Sequence, residues 1–297
     1  MTQQHPGVTL RNLMDKGVVG APGAFNGLVA RAVKQAGFDA CYLSGGALSA
    51  SSGVPDVGIL SLDRFAQAVR EVSMSSGLPV IADADTGFGE EEMVRRTVLE
   101  YDNAGAAGCH IEDQVFPKRC GHLAGKALIP MEQSVSRLSW AVQAAQDCSG
   151  GSFIVCARTD ARSVDGLGAA IERAHAYVEA GASMIFPEGL ESEDEFARFA
   201  DEIGKLCDKP PYLLANMTEF GKTPITPLTR FEELGYHFVI FPVSTLRTAM
   251  GAVVRMLSDL KATGSVSGSL DEMQNRADLY TLLGYDPQGE GWSFPSH

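Results

Sequence analysis

Short apolar runs rich in β-branched residues recur along the chain. Each is followed by a longer stretch whose apolar positions repeat every three to four residues. The runs lie at 17–25, 39–46, 78–87, 107–114, 153–160, 183–189, 212–220 and 237–243. The helical patterns occupy 26–36, 62–76, 90–104, 131–146, 167–180, 193–206, 228–234 and 244–262. Buried strands alternating with helices predict a parallel sheet joined by crossover helices. Gly37, Gly77, Gly105, Gly181 and Gly235 follow helical patterns, where a left-handed C-terminal cap is expected. Eight such units suit a closed barrel or an open doubly wound sheet. The open sheet usually carries a Gly-x-Gly-x-x-Gly turn after its first strand. The first run here reads Gly20-Ala21-Pro22-Gly23-Ala24-Phe25, which is not that fingerprint. An α/β fold is therefore predicted, a (β/α)8 TIM-type barrel over residues 1–262. The tail, 263–297, opens with a Gly/Ser stretch and continues as a short amphipathic helix pattern. It is too small for a domain and is expected to pack on the barrel or on a neighbouring subunit.

The ends of the apolar runs sharpen this picture. One after another they finish in polar residues: Ser44-Gly45-Gly46, Asp83 and Asp85, Glu112 and Asp113, Arg158 and Asp160, Glu188, Asn216 and Thr218. A structural strand end needs only turn residues. Charged groups at the ends of successive buried strands are costly unless they converge on a ligand. In barrel enzymes that convergence occurs at the C-terminal face. The interval from Glu112 to Arg158 is also half as long again as those from Arg158 to Glu188 and from Glu188 to Asn216. The added length is a loop, 113–130, of the kind that carries catalytic parts.

Composition narrows the class of function. Hydrophobic residues make up 45% of the 297 positions and charged residues 21%, so the chain is an ordinary globular one and not disordered. The formal charge of -13 argues against nonspecific binding to nucleic acid or anionic membranes. No apolar run is long enough for a transmembrane helix, and the N-terminus lacks a signal-peptide core. A cytoplasmic protein is expected. The six cysteines show no zinc or Cys-x-x-Cys spacing. Cys41, Cys109 and Cys156 lie inside apolar runs and read as small buried side chains.

Four groups of residues are candidates for chemistry. Asp83 and Asp85 fall on one side of their strand by period-two alternation, and Glu112 ends the next strand. Such a carboxylate cluster without histidines suits a hard cation such as Mg²⁺, with Mn²⁺ as a substitute. Taken singly, these acids could equally be solvated strand ends. In Lys118-Arg119-Cys120-Gly121-His122, the basic neighbours lower the thiol's pKa and favour the thiolate, and a positioned thiol can give or take a proton. Arg119 and His122 could bind carboxylates. The alternative is a basic turn with an incidental cysteine. Ser44, Gly45 and Gly46 could present backbone N–H groups to an anion, or simply form a tight turn. Arg158, Asn216, Thr218 and Arg247 offer bidentate and neutral contacts to carboxylates, and Glu188 could pair with an arginine or accept from a hydroxyl; the alternative for each is an ordinary ion pair or turn. His110 reads as a core histidine.

In order along residues 7–285, these segments resemble the isocitrate lyase and phosphoenolpyruvate mutase superfamily. They are YLSGG (42–46), ADADTGFG (82–89), HIEDQ (110–114), PKRCGH (117–122), ARTDA (157–161), FPEG (186–189), ANMTEFGKTP (215–224) and QNRADLY (274–280). The Lys-Arg-Cys-Gly-His signature is similar to that of the carbon–carbon lyase branch. The chain length resembles the short 2-methylisocitrate lyases, not the longer isocitrate lyases.

The resemblance implies a Mg²⁺-dependent barrel whose last helix is exchanged between subunits, in a homotetramer. It implies retro-aldol cleavage of 2-methylisocitrate to pyruvate and succinate, in propionate catabolism. Residue by residue, it assigns Asp83, Asp85 and Glu112 to the metal. It assigns Ser44, Gly45, Gly46 and Arg158 to the pyruvate half, and Gly121, His122, Asn216, Thr218 and Arg247 to the succinate half. Tyr42 becomes a partner in deprotonating the hydroxyl, Cys120 the proton donor to the succinate carbanion, and Arg276 a tail residue that closes the site. Ala47 stands where many relatives have a third glycine. That difference keeps 2,3-dimethylmalate lyase and oxaloacetate decarboxylase or hydrolase as alternatives. A noncatalytic barrel would be expected to lack Asp85, Cys120 or Arg158, and all three are present.

Overall fold

In the computed structural model, residues 4–119, 121, 125–289 and 292 are described. Each predicted run contains one strand: β1 (Val19–Pro22), β2 (Cys41–Leu43), β3 (Val80–Asp83), β4 (Gly108–Glu112), β5 (Ile154–Thr159), β6 (Met184–Pro187), β7 (Tyr212–Asn216) and β8 (Phe238–Phe241). All the pairings are parallel, in the order β1-β8-β7-β6-β5-β4-β3-β2. A Gly23–Tyr42 bridge and the Ala24 N–H on the Tyr42 carbonyl at 2.8 Å bring β1 to β2 and close the ring. The expected eight-stranded barrel is the fold.

The helices are α1 (Pro6–Met14), α2 (Gly27–Gln35), α3 (Gly45–Ser51), α4 (Leu62–Ser76), α5 (Glu91–Asn103), α6 (Met131–Ser149), α7 (Leu167–Glu179), α8 (Glu193–Gly204), α9 (Leu228–Glu233), α10 (Ser244–Thr263) and α11 (Arg276–Leu283). The five glycines expected at helix ends all have positive φ, a conformation that costs glycine least.

Alternation along the strands builds two cores. Outward-facing Cys41, Val80, Ala82, Cys109, Ile111, Val155, Ile185 and Val239 pack under the helices. Inward-facing Val19, Ala21, Ala40, Tyr42, Ile81, Ile154, Cys156, Met184, Phe186, Leu214, Phe238 and Ile240 fill the barrel, as the interior layers of this architecture require. Cys41, Cys109 and Cys156 are fully buried, as expected. One further period-two step along the same inward stripe gives Ser44, Asp83, Glu112, Arg158, Glu188 and Asn216. The stripe that fills the barrel therefore continues as the site.

Helix α1 closes the opposite end. Its Leu10 and Met14 join the interior cluster, and Arg11 Nη2 donates to the Gly151 carbonyl at 3.2 Å. Helix α10 is different. It carries no buried residue, and Met250, Val253, Val254 and Leu257 are exposed. Its first turn is tied down by Thr245 on the Gly23 carbonyl at 2.6 Å and by Ser244 and Arg247 on Glu219. The tail helix α11 packs on α2, where Arg31 Nη1 donates to the Leu283 carbonyl at 2.8 Å.

Candidate active site

A cavity of about 130 Å³ opens at the C-terminal face of the barrel. Tyr42, Ser44, Gly46, Asp83, Gly121, Arg158, Glu188, Asn216, Thr218 and Arg247 all line it. Asp56, Lys118, Glu219 and Phe220 line it too, and were not singled out as site residues from the sequence. Lys118 had a signal, since it opens the basic motif. Asp56, in a Pro-Asp turn, and Glu219 had none.

The acidic side is built on β3 and β4. Asp83 ends β3 and pairs in register with His110, while Glu112 pairs with Arg158. Burial alone would raise Asp83, but His110, Lys118 and Arg158 outweigh it and lower its pKa. Two backbone amides, Gly45 N–H on Oδ2 and Asp85 N–H on Oδ1, each at 3.0 Å, fix its oxygens. The Gly45 amide is thus engaged by a carboxylate. Ser44 is the N-cap of α3, its oxygen accepting from the Ala47 N–H at 3.2 Å. Burial and the neighbouring Asp83 push Asp85 up to about 6. Burial drives Glu112 well above the usual carboxylate range, with Arg158 and Lys118 offsetting it only in part.

The Lys118 ammonium lies among these acids, 2.7 Å from Asp85 Oδ1 and in contact with Asp56. Burial would lower its pKa, but Glu112, Asp83, Asp85 and Asp56 reverse that and raise it. Lys118 lines the cavity, whereas Asp85 and Glu112 do not.

These acids fit a hard cation on two counts. Burial is the main reason that Asp85 and Glu112 hold protons more tightly than exposed carboxylates do, and a bound cation would offset that burial. Neither oxygen of Glu112 has a hydrogen-bond partner among the described residues, although Arg158 Nη1 stands 3.2 Å from Oε2. Among the described residues no three acidic groups close around one point. Water would therefore complete the coordination, as Mg²⁺ usually requires.

Arg158 is the positive pole. Its guanidinium lies over the Phe186 ring at 5.2 Å and contacts Asp160 at 3.0 Å and Glu188 at 3.6 Å. Asn216 Nδ2 donates to Glu188 Oε2 at 3.1 Å. Arg247, at the mouth, pairs with Glu219 at 3.0 Å and lies over Phe220. Below the cavity the Tyr42 hydroxyl is 2.7 Å from His110 Nε2, and His110 Nδ1 is 3.7 Å from Asp83. Burial depresses His110 to about 4 and raises Tyr42 well above its ordinary value. Near neutral pH these are a neutral imidazole and a phenol.

Gly121 needs its missing side chain. A Cβ there would stand 2.5 Å from Glu188 Cγ and 2.7 Å from Arg158 Nη2. Arg119 is exposed and does not line the cavity. Its backbone is held by the Gln114 amide and its guanidinium lies near Gly125. Arg276 is exposed at the start of α11 and does not reach the cavity of its own chain. Cys120 and His122 lie outside the described residues.

A closed parallel barrel with opposed acidic and guanidinium groups at its C-terminal mouth is the architecture of an enzyme acting on small anions. The family model described as phosphoenolpyruvate phosphomutase matches residues 10–261, and the chain belongs to that family. It is 49% identical to the probable 2-methylisocitrate lyase 1 of Corynebacterium glutamicum, over 89% of this chain and 84% of that protein. It is 47% identical to the 2-methylisocitrate lyase of Aeropyrum pernix, over 95% and 88% of the two chains. A crystal structure of 2,3-dimethylmalate lyase, a member of the PEP mutase/isocitrate lyase superfamily, superposes with a TM-score of 0.88 at 36% identity. That match covers 95% of this chain and 92% of the other.

Proposed function

We propose that the protein is a Mg²⁺-dependent carbon–carbon lyase that cleaves 2-methylisocitrate to pyruvate and succinate in the cytoplasm. The observation that carries this reading is the gathering of Asp83 and Arg158 on one small cavity, with Glu112 against Arg158 and Asp85 against Lys118, bordered in sequence by Lys118-Arg119-Cys120-Gly121-His122. The relatives named 2-methylisocitrate lyase support the substrate.

Asp83, Asp85 and Glu112 would hold the cation, which would supply Lewis-acid stabilisation of the substrate hydroxyl oxygen as it loses its proton ahead of cleavage. The chain's own residues supply the rest. Arg158, braced by Phe186 and Asp160, offers a fixed fork to the carboxylate of the pyruvate half. Ser44 and Gly46 border the same half. Asn216, Thr218, Gly121, His122 and Arg247 take the succinate half. Tyr42 is a phenol at rest, so it can accept the substrate hydroxyl proton only by passing its own to His110 Nε2. The Cys120 thiol gives its proton to the carbon of succinate as the bond breaks. Loop 113–130 would exclude water from that carbanion.

The unburied apolar face of α10 supports a second copy of the chain as its partner, with the exchanged helix and homotetramer that the resemblance implies. Arg276 then has a route to a neighbour's site.

The reading is tested by pyruvate release from 2-methylisocitrate, isocitrate, 2,3-dimethylmalate and oxaloacetate at matched concentrations, with Mg²⁺ or EDTA. Preference for 2-methylisocitrate that EDTA abolishes is expected. Preference for dimethylmalate or oxaloacetate would reject the substrate. Full activity in EDTA would reject the metal.

A further inference from the structure

The segment between β4 and α6 turns back on itself. Gln114 and Leu128 form an antiparallel bridge, the Val115 N–H donates to the Ala127 carbonyl at 2.8 Å, and the Ile129 N–H donates to the Asp113 carbonyl at 3.0 Å. Further out, the Gln114 side-chain amide clamps both the N–H and the carbonyl of Arg119 at 2.9 Å. Lys126 lies on the returning arm, and its side chain runs inward, with 1% of it exposed. Its ammonium donates to Asp160 Oδ1 at 2.7 Å and to the carbonyl of Gly121. Lys126 does not line the cavity.

Asp160 is a fixed point. It is fully buried. Its backbone N–H donates to Asp113 at 2.9 Å, and its carboxylate receives Arg158 Nε at 3.0 Å as well as Lys126. One carboxylate therefore sets both the guanidinium at the cavity wall and the lysine that grips Gly121. Gly121 packs so closely on Arg158 and Glu188 that a Cβ would not fit. A buried ammonium persists only where it is paired and hydrogen-bonded, and here both of its partners belong to the site's framework.

We propose that Lys126 is a positioning residue that, through Asp160, pins Gly121 against Arg158 and Glu188. It touches no substrate and acts through Gly121, the chain neighbour of Cys120. The kinetic part of its test rests on the lyase reading, whereas the exchange part does not.

The test uses the full-length Lys126→Met variant, which keeps most of the length of the side chain and removes its charge. Amide hydrogen exchange of wild type and variant is followed by mass spectrometry. The expected result is exchange at least about tenfold faster in fragments covering 115–119 and 127–129, with fragments covering β5 and β6 unchanged. In the same variant kcat for pyruvate release should fall roughly 100-fold at nearly constant KM, the cost of a small misplacement near the chemistry. If Lys126→Met does not fold, Lys126→Met/Asp160→Asn, which removes both charges of the pair, is measured in the same way. Unchanged loop exchange in a folded variant overturns the proposal. So does uniform acceleration across the barrel strands, or failure of both variants to fold, because the pair would then serve barrel stability alone. Fast loop exchange in an enzyme that turns over none of the four acids would uphold the positioning role and reject the lyase reading.

Discussion

At the scale of single residues, the site is a matter of parity. Ser44, Asp83, Arg158, Glu188 and Asn216 were legible because each extends an apolar inward stripe by one period-two step, and Glu112 because it follows His110 on the same face; a polar group there has nowhere to go but the barrel mouth. Asp56 and Glu219 become meaningful only through contacts formed by distant segments, and no local pattern announces those; Asp160 stood out as a strand-end acid, but its hold on Lys126 did not. Lys118 was visible as part of a basic motif, but its place among the acids depends on how loop 113–130 folds back. The thiol is the sharpest residue to test. Cys120→Ser should leave Mg²⁺ and substrate binding intact while kcat drops by about 100- to 10,000-fold, the usual range for losing a positioned acid. Calorimetric binding together with pyruvate release measures both, and an unchanged kcat would remove the proton-donor role.

At the scale of elements, all eight strands and their crossover helices follow from hydrophobic period, and the helix ends follow from glycine. Two helices escaped that reading. α3 is built from Gly45-Gly46-Ala47-Leu48-Ser49-Ala50-Ser51, in which two glycines and two serines offset the helix-forming alanines and leucine. It is held by the Ser44 cap and by burial of Leu48. α1 is a short helix whose apolar face has meaning only against the barrel floor. That contact is tight. A side chain at Gly7 would collide with the Ser152 carbonyl and stand 2.8 Å from the Ala107 carbonyl. Because neither backbone group can give way, Gly7→Ala should cost about 2 kcal/mol, as overpacking does, and the midpoint of urea unfolding should fall accordingly. The opposite situation holds on α10, whose Val254 and Leu257 face solvent. Changing both to glutamate should leave the barrel's circular dichroism intact and lower the sedimentation coefficient to that of a smaller assembly. An unchanged coefficient would show that this face takes no part in association.

At the scale of the whole molecule, the packing of the aromatic hydroxyls ties stability to alkaline pH. Burial raises Tyr42, Tyr101, Tyr177 and Tyr236 well beyond their ordinary range. Burial and the 2.6 Å hydrogen bond to Asp15 push Tyr212 up to about 12. Above pH 10.0, the ordinary phenol value, the unfolded chain loses protons that the folded chain keeps. The folded state then binds more protons, so stability falls as pH rises. Phenolate absorbance of the native protein should therefore lag that of the denatured chain, and the lag should vanish in a single step when the barrel opens. Smooth titration of all seven tyrosines near pH 10.0 would contradict the burial.

The plug of Leu10 and Met14 also governs traffic. With the floor of the barrel stoppered, substrate and both products share one doorway at the strands' C-terminal ends, and whatever lies deeper must wait. Arg158, whose side chain is 8% exposed, sits behind Arg247, at 42%. The fragment held by Arg247 should therefore depart before the fragment held by Arg158. For the proposed reaction this means succinate first and pyruvate last. Pyruvate should inhibit competitively against substrate and succinate noncompetitively, and the reverse pattern would mean that the two fragments can pass one another inside the barrel.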